Sequence, residues 1–273
     1  MKSFAYAIVF AIAGLFAVPA QAQVDFDLQI NFTGSATFQP FFDSAEAVWE
    51  SIITEWTDGR NNAGNAIVSS LVIDATVEFI DGNGGILGSA GPTAGVNDGS
   101  FILATEGVMR FDSADAQNLV NNGTFEAVVL HEMGHVLGIG TLWTNNNLYV
   151  NGTGQYTGAN GLAQYQTEFD PSATFVPVEL DGGAGTANGH WDEGGITVID
   201  PNNVNFGRTR SDALMTGFLG NDTYISNTTG GSLQDLGFNV DFNAIQGVPE
   251  PSSATAILIL GMCGLSRRRR KTA

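Results

Sequence analysis

The stretch Val128-Val129-Leu130-His131-Glu132-Met133-Gly134-His135-Val136-Leu137-Gly138 limits what this chain can fold into more than any other. Phe125, Val128, Val129 and Leu130 carry the apolar spacing of a helix. Four helical residues turn through about 400°, so His131 and His135 fall one above the other on one face. Two neutral imidazoles placed this way can hold one Zn2+, and Glu132 beside them can take a proton from an activated water. Glycine adopts the left-handed backbone of a helix end at little cost, so the helix is expected to run from about Thr124 and stop at Gly138. A fold built on this segment must bury the helix, bring a third ligand to its face and leave a cleft beside it.

The chain has the means. With 273 residues, 43% of them hydrophobic, it is long enough for one large domain or two small ones. Its 35 glycines and low charged content (14%) suit a loop-rich globular protein. Charge is distributed unevenly. Between residues 23 and 266 four arginines (Arg60, Arg110, Arg208 and Arg210) face all 28 acids, a net of −24 in a body without lysine. Such a surface repels phosphates and excludes a nucleic-acid partner. It serves solubility; alternatively some of its Asp and Asn clusters hold Ca2+, which takes oxygen ligands.

Both ends read as addresses. Lys2, the apolar run Phe4 to Val18 and Ala20-Gln21-Ala22 make a signal peptide over residues 1–22 with cleavage expected after Ala22. A membrane-spanning helix is the other reading, and the short apolar run argues against it. At the other end Val248-Pro249-Glu250-Pro251 precedes an apolar segment, Ala254 to Leu265, and then Arg267 to Arg270 and Lys271. The segment is shorter than the ~20 residues of a comfortable span. The cations would hold that end in the cytoplasm. Residues 246–273 closely resemble the bacterial PEP-CTERM sorting signal. That resemblance implies export across a Gram-negative inner membrane, transient residence there through the tail, and an exosortase-type sorting enzyme as partner; a plain tail anchor is the alternative. Cys263, the only cysteine, lies in this tail, which leaves no intrachain disulfide and no thiol nucleophile.

Residues 23–245 form the expected domain, with a cleft between about 23–140 and 141–245. Val24 to Phe32 alternates as a strand. Residues 43–56 place Ala45, Val48, Trp49, Ile52, Ile53 and Trp56 at helical spacing, with Asp43 or Ser44 as N-cap and both tryptophans in the core. A strand is expected over 67–80, a turn at 81–85, irregular chain over 86–103 and a short strand at Gly107 to Phe111. Asp112 to Asp115 should cap a short helix to about Val120. This order resembles the one expected of the N-terminal half of a zincin, and the resemblance implies an α+β fold with a mixed sheet over the active-site helix. Gly107 to Phe111 is expected near the edge strand, where an extended peptide could dock by strand addition.

The chain has one further histidine, His190 in Gly189-His190-Trp191-Asp192-Glu193, and downstream of it Leu214-Met215-Thr216-Gly217. His131-Glu132-Met133-Gly134-His135-Val136-Leu137-Gly138, a long insertion, Gly189-His190-Trp191 and then Leu214-Met215-Thr216-Gly217 together resemble the leishmanolysin-like metzincins. The resemblance is specific over about residues 105–240 and loose before them. It implies that His131, His135 and His190 are zinc ligands, Glu132 the general base and Met215 the methionine of a Met-turn in a loop-rich C-terminal subdomain. Thr141 stands where compact metzincins carry their third histidine, and a hydroxyl is a poor zinc ligand. No cysteine-containing pro-segment is seen. Gly217 stands where some metzincins carry a tyrosine, and the sequence singles out no residue besides the metal to stabilise an oxyanion. Trp191 reads as packing, and Asp192 and Glu193 as surface or supporting groups, since a fourth protein ligand would close the site to water. The expected function is an exported zinc-dependent endopeptidase acting on protein or peptide. The alternative, from another class, is a non-catalytic surface or extracellular-matrix protein with a structural zinc site.

Overall fold

The computed structural model describes residues 24–220 and 222–248. The segment read as a signal peptide (1–22) and the part of the expected sorting tail from Pro249 onward lie outside the described residues. In chain order the first part contains β1 (Val24–Asp25), β2 (Leu28–Thr33), α1 (Gln39–Ile52), β3 (Ile53–Trp56), β4 (Leu71–Glu78), β5 (Gly88–Asn97), β6 (Ile102–Asp112), α2 (Ser113–Asn122) and α3 (Phe125–Leu137). The second contains β7 (Gln155–Tyr156), α4 (Ala159–Glu168), β8 (Val176–Pro177), α5 (Asn227–Asp235), β9 (Phe238–Val240) and α6 (Phe242–Gly247). The architecture is α+β. Among the described residues no helix is long and apolar enough to cross a membrane.

The main sheet runs β2-β4-β6-β5. β2, β4 and β6 are parallel, and β5 closes the edge antiparallel to β6. Helices α1 and α3 cover one face. Phe42 of α1, Phe111 of β6 and Phe125 of α3 meet edge to face, with centroids 5.4 Å (Phe42–Phe111) and 5.5 Å (Phe111–Phe125) apart. The Trp49 indole N–H donates to the Leu130 carbonyl at 3.2 Å, tying α1 to α3 one residue before His131. Trp49 and Trp56 are fully buried, as their spacing implies.

Several boundaries differ from expectation. The strand expected over 24–32 changes partner part-way: Val24 pairs with Trp56 of β3, whereas β2 pairs with β4. Helix α1 starts earlier and ends earlier than 43–56. Pro40 sits in its first turn, where a missing N–H costs nothing. Asp43 and Ser44 lie inside the helix and cap nothing; Ser44 donates to Glu126 at 2.5 Å instead. Ile53-Thr54-Glu55-Trp56 becomes a strand because its β-branched and aromatic residues pair with β9 and bury Trp56 against Phe26 and Phe238. The strand expected over 67–80 is confined to Leu71–Glu78.

The larger correction concerns the edge. Residues 86–103, read as irregular, contain the ten-residue strand β5 (Gly88–Asn97). Gly107 to Phe111 therefore lies within an inner strand, with β4 on one side and β5 on the other. Glycines and Pro92 give β5 little strand signal, yet proline is tolerated at a sheet edge.

In the C-terminal part α4 and α5 cap each other. The Glu168 carboxylate, at the end of α4, accepts from the Asn227 and Thr228 N–H groups (3.0 and 2.9 Å) at the start of α5. The Asp235 carboxylate, at the end of α5, accepts from the Asn160 and Gly161 N–H groups (2.9 and 2.8 Å) at the start of α4. Each carboxylate thus satisfies helix N–H groups that lack intrahelical partners. The pair supports an aromatic cluster in which Trp191 stacks on Trp143 with centroids 4.5 Å apart and donates its indole N–H to Thr229 Oγ1 at 3.1 Å. Trp191 is packing, as read from the sequence.

Candidate metal centre

Helix α3 is buried nearly all round, and Gly138 ends it at φ +113° with its N–H donated to the His135 carbonyl. Its sequence fixes this geometry: an apolar run with no polar face, then a residue free to turn left-handed. His131 and His135 project from one face, and their Nε2 atoms are 3.0 Å apart.

His190 arrives from the other side. Its carbonyl accepts the Glu179 N–H at 2.9 Å, and the next residue, Trp191, donates its N–H to the Met215 carbonyl at 2.9 Å. This places His190 Nε2 3.1 Å from that of His131 and 3.0 Å from that of His135. The three histidines singled out in the sequence are therefore brought together, the last lying 59 positions after the first.

Hydrogen bonding assigns the tautomers. His131 Nδ1 contacts the Leu214 carbonyl at 2.6 Å, His135 Nδ1 the Ile139 carbonyl at 2.9 Å, and His190 Nδ1 the Thr186 carbonyl at 2.7 Å. A carbonyl only accepts, so each Nδ1 carries the proton and each Nε2 presents a lone pair. Burial keeps all three rings neutral. It pushes His131 well below its ordinary value, His135 down to about 3, and His190 down as well. Three lone pairs about 3 Å apart with no proton between them repel unless a cation joins them. Tetrahedral Zn2+ with Zn–N bonds of about 2.0–2.1 Å would separate its nitrogens by about 3.3 Å. The donor set fits such an ion, and nitrogen-only ligation suits a transition metal and not calcium.

Met215 is fully buried against Gly134, the helix residue just before His135. A Cβ placed on Gly134 would stand 2.6 Å from its sulfur, so only glycine lets the methionine pack there. Its neighbours Leu214 and Trp191 connect it to both His131 and His190. Glu132 is buried on the opposite side, its carboxylate against the main chain of Gly88. Burial pushes that carboxyl up to about 8. A divalent cation at the triad would oppose the rise.

A cleft of about 470 Å3 opens on Glu132 and the three histidines. Residues 85–90, leading into and beginning β5, form one wall; Ala127, Val128 and the 216–220 segment form the other. Apart from Glu132 and the histidines the lining is uncharged, and Ile86, Phe218 and Leu219 stand exposed at its rims. Compared with protein-family models and with curated proteins, the sequence finds no match.

Thr141 also lines the cleft, but its hydroxyl donates to the His135 carbonyl at 2.6 Å and caps the helix end. Asp192 forms an ion pair with Arg210 at 2.6 Å, and Glu193 accepts the Gly217 N–H at 3.0 Å. Glu179, Asp192 and Glu193 come close enough to suggest a second cation site. Burial and a hydrogen bond with Glu179 push Glu193 up to about 7, and that hydrogen bond lowers Glu179. In the structure Asp192 is partnered by Arg210 and Glu193 by Glu179 and the Gly217 N–H. The groups not foreseen are the β5 wall and the three main-chain carbonyls. The carbonyls leave no mark in the sequence, because any residue supplies one.

Proposed function

We propose that this chain is an exported zinc-dependent endopeptidase of the leishmanolysin-like metzincin type. The observation that carries the reading is the convergence of three imidazole lone pairs beside a buried carboxylate at the floor of an open cleft. His131, His135 and His190 would hold Zn2+, which lowers the pKa of water toward about 7 and polarises a carbonyl. Glu132 accepts the proton of the water that attacks the scissile carbonyl and returns it to the leaving amine nitrogen. Met215 packs beneath the helix histidines as a Met-turn residue. The outer edge of β5 offers unpaired main-chain groups to an extended protein or peptide substrate, which would lie across Glu132 with apolar side chains toward the uncharged walls.

The alternative, a structural zinc site in a surface or extracellular-matrix protein, suits the geometry less well. Structural sites are closed by four protein ligands, whereas three face this cleft. The terminal segments complete the reading: a signal peptide directs export, and an exosortase-type enzyme sorts the protein to the cell surface.

The test is cleavage of casein by the zinc-loaded protein, with and without chelator. Activity should vanish with chelator, return with zinc, and fall by about 10²–10⁴ in Glu132→Ala while that variant retains its metal. Full activity in Glu132→Ala would refute the assigned base.

A further inference from the structure

The insertion between the helix histidines and His190 does more than border the cleft. We infer that Asn188 and Tyr149 form a clamp that fixes His190 in its ligating position before any metal arrives, making both of them positioning residues for the zinc site. This rests on the metal reading above.

Asn188 has φ +68°, a left-handed backbone that a side-chain-bearing residue keeps only when its surroundings hold it. It occupies the third position of the turn Thr186–Gly189, closed by the Gly189 N–H on the Thr186 carbonyl at 3.3 Å. A negative φ followed by a positive one at the centre of a turn calls for Gly or Asn. The same Thr186 carbonyl accepts His190 Nδ1 at 2.7 Å. One turn therefore sets both the path of the chain and the tautomer of the ligand.

The Asn188 side chain locks that turn to the insertion. Its Oδ1 accepts from the Tyr149 hydroxyl at 2.6 Å and from the Gly152 N–H at 2.7 Å. The Tyr149 hydroxyl in turn accepts the Gly154 N–H at 3.3 Å. The Asn188 N–H donates to the Glu179 carbonyl at 2.7 Å. Tyr149 is itself buried, its ring 6.2 Å from that of Trp143, which stacks on Trp191 beside His190.

His190 needs such support because no helix carries it. The chain before it holds Gly182, Gly183 and Gly185, all at positive φ. A ligand on a glycine-rich loop without a clamp would lose conformational freedom when it bound metal, and affinity would fall accordingly.

The experiment measures Zn2+ affinity by chelator competition, and the visible spectrum of the Co2+ form, for four variants of the full chain. Asn188→Ala loses both the acceptor and the left-handed tolerance and should bind about 10–100-fold more weakly. Asn188→Gly keeps the backbone but not the acceptor and should fall between Ala and wild type. Asn188→Asp keeps both and should stay within about three-fold of wild type; Tyr149→Phe should weaken binding about ten-fold. The Co2+ bands of the weakened variants should shift and lose intensity as His190 leaves its position. If Asn188→Ala does not fold, Asn188→Gly and Tyr149→Phe decide. Wild-type affinity and an unchanged Co2+ spectrum in Asn188→Gly and Tyr149→Phe would overturn the clamp and leave the zinc site standing. Failure of the wild type to bind either ion would overturn the zinc reading itself.

Discussion

Each helix histidine owes its orientation to a main-chain carbonyl, and Met215 stands at the centre of that support. The carbonyl of Leu214 fixes His131, while the carbonyl of Met215 holds the Trp191 N–H and hence His190. The Met215 side chain fills the space that Gly134 leaves open. Truncating Met215 to Ala would leave a cavity beside Gly134 on the helix that carries His131 and His135 and cost about 2–5 kcal/mol. Denaturant unfolding of the metal-free variant checks this, and a loss under about 1 kcal/mol would show that the site collapses around the gap. At this scale the sequence was largely legible. With only three histidines in the chain and two on one helix, His190 could be picked by counting, and Thr141 could be set aside because a hydroxyl ligates zinc poorly. The clamp on His190 was not legible, because the Tyr149 hydroxyl that meets Asn188 comes from 39 residues away.

Among the elements, β5 forms the cleft wall, and Asp112 anchors the turn that leads into it. The Asp112 carboxylate caps α2 through the Ala114 N–H at 2.7 Å and accepts from Ile80, Asp81 and Gly82 at 3.2, 2.7 and 2.8 Å. These donors, the Ala114 N–H foremost, hold its carboxyl down at about 2 against an ordinary 3.8. The folded value lies below the unfolded one, so this stabilisation is complete above about pH 3.8 and is lost as pH falls toward 2. Thermal unfolding should therefore find Asp112→Asn less stable than wild type at pH 5, with the difference gone near pH 2. A difference that persisted unchanged at pH 2 would contradict the assignment. Helix α3 and its stop at Gly138 were legible because apolar spacing and a left-handed glycine are local signals. β5 was not, because a strand of glycines, alanines and Pro92 exists through its pairing with β6 and hardly through its own propensity. The end of α1 was missed for the same reason: Ile53 and Trp56 continue the helical spacing, and only β9, nearly two hundred residues downstream, draws them into a strand.

At the scale of the whole molecule three neutral imidazoles are buried together, and this links stability to pH and to metal. All three rings have folded values below their ordinary 6.5, with His135 down at about 3. Between those values the unfolded chain binds more imidazole protons than the folded one, so the histidines' contribution to the stability of the metal-free protein should be level above about pH 6.5 and fall as pH drops toward 3, while the Glu132 carboxyl, raised from 4.5 to about 8, acts in the opposite sense as pH rises between those values. Melting curves of the wild type and His135→Asn from pH 8 to pH 3 check this: the wild type should lose stability relative to the variant as pH falls below about 6.5. If the triad holds zinc as proposed, only the folded arrangement would bind it, and added zinc should raise the melting temperature at pH 7, with the gain shrinking below pH 6 as protons compete for the imidazoles. The acidic body and the uncharged cleft divide the labour between a solvated exterior and a site whose charge is confined to Glu132 and what the histidines hold. The measurement that bears most directly on the account is the metal content of the purified protein beside that of His190→Ala. The account predicts one zinc per wild-type chain and a loss of at least ten-fold in affinity for the variant; no zinc in the wild type, or zinc held equally well without His190, would contradict it.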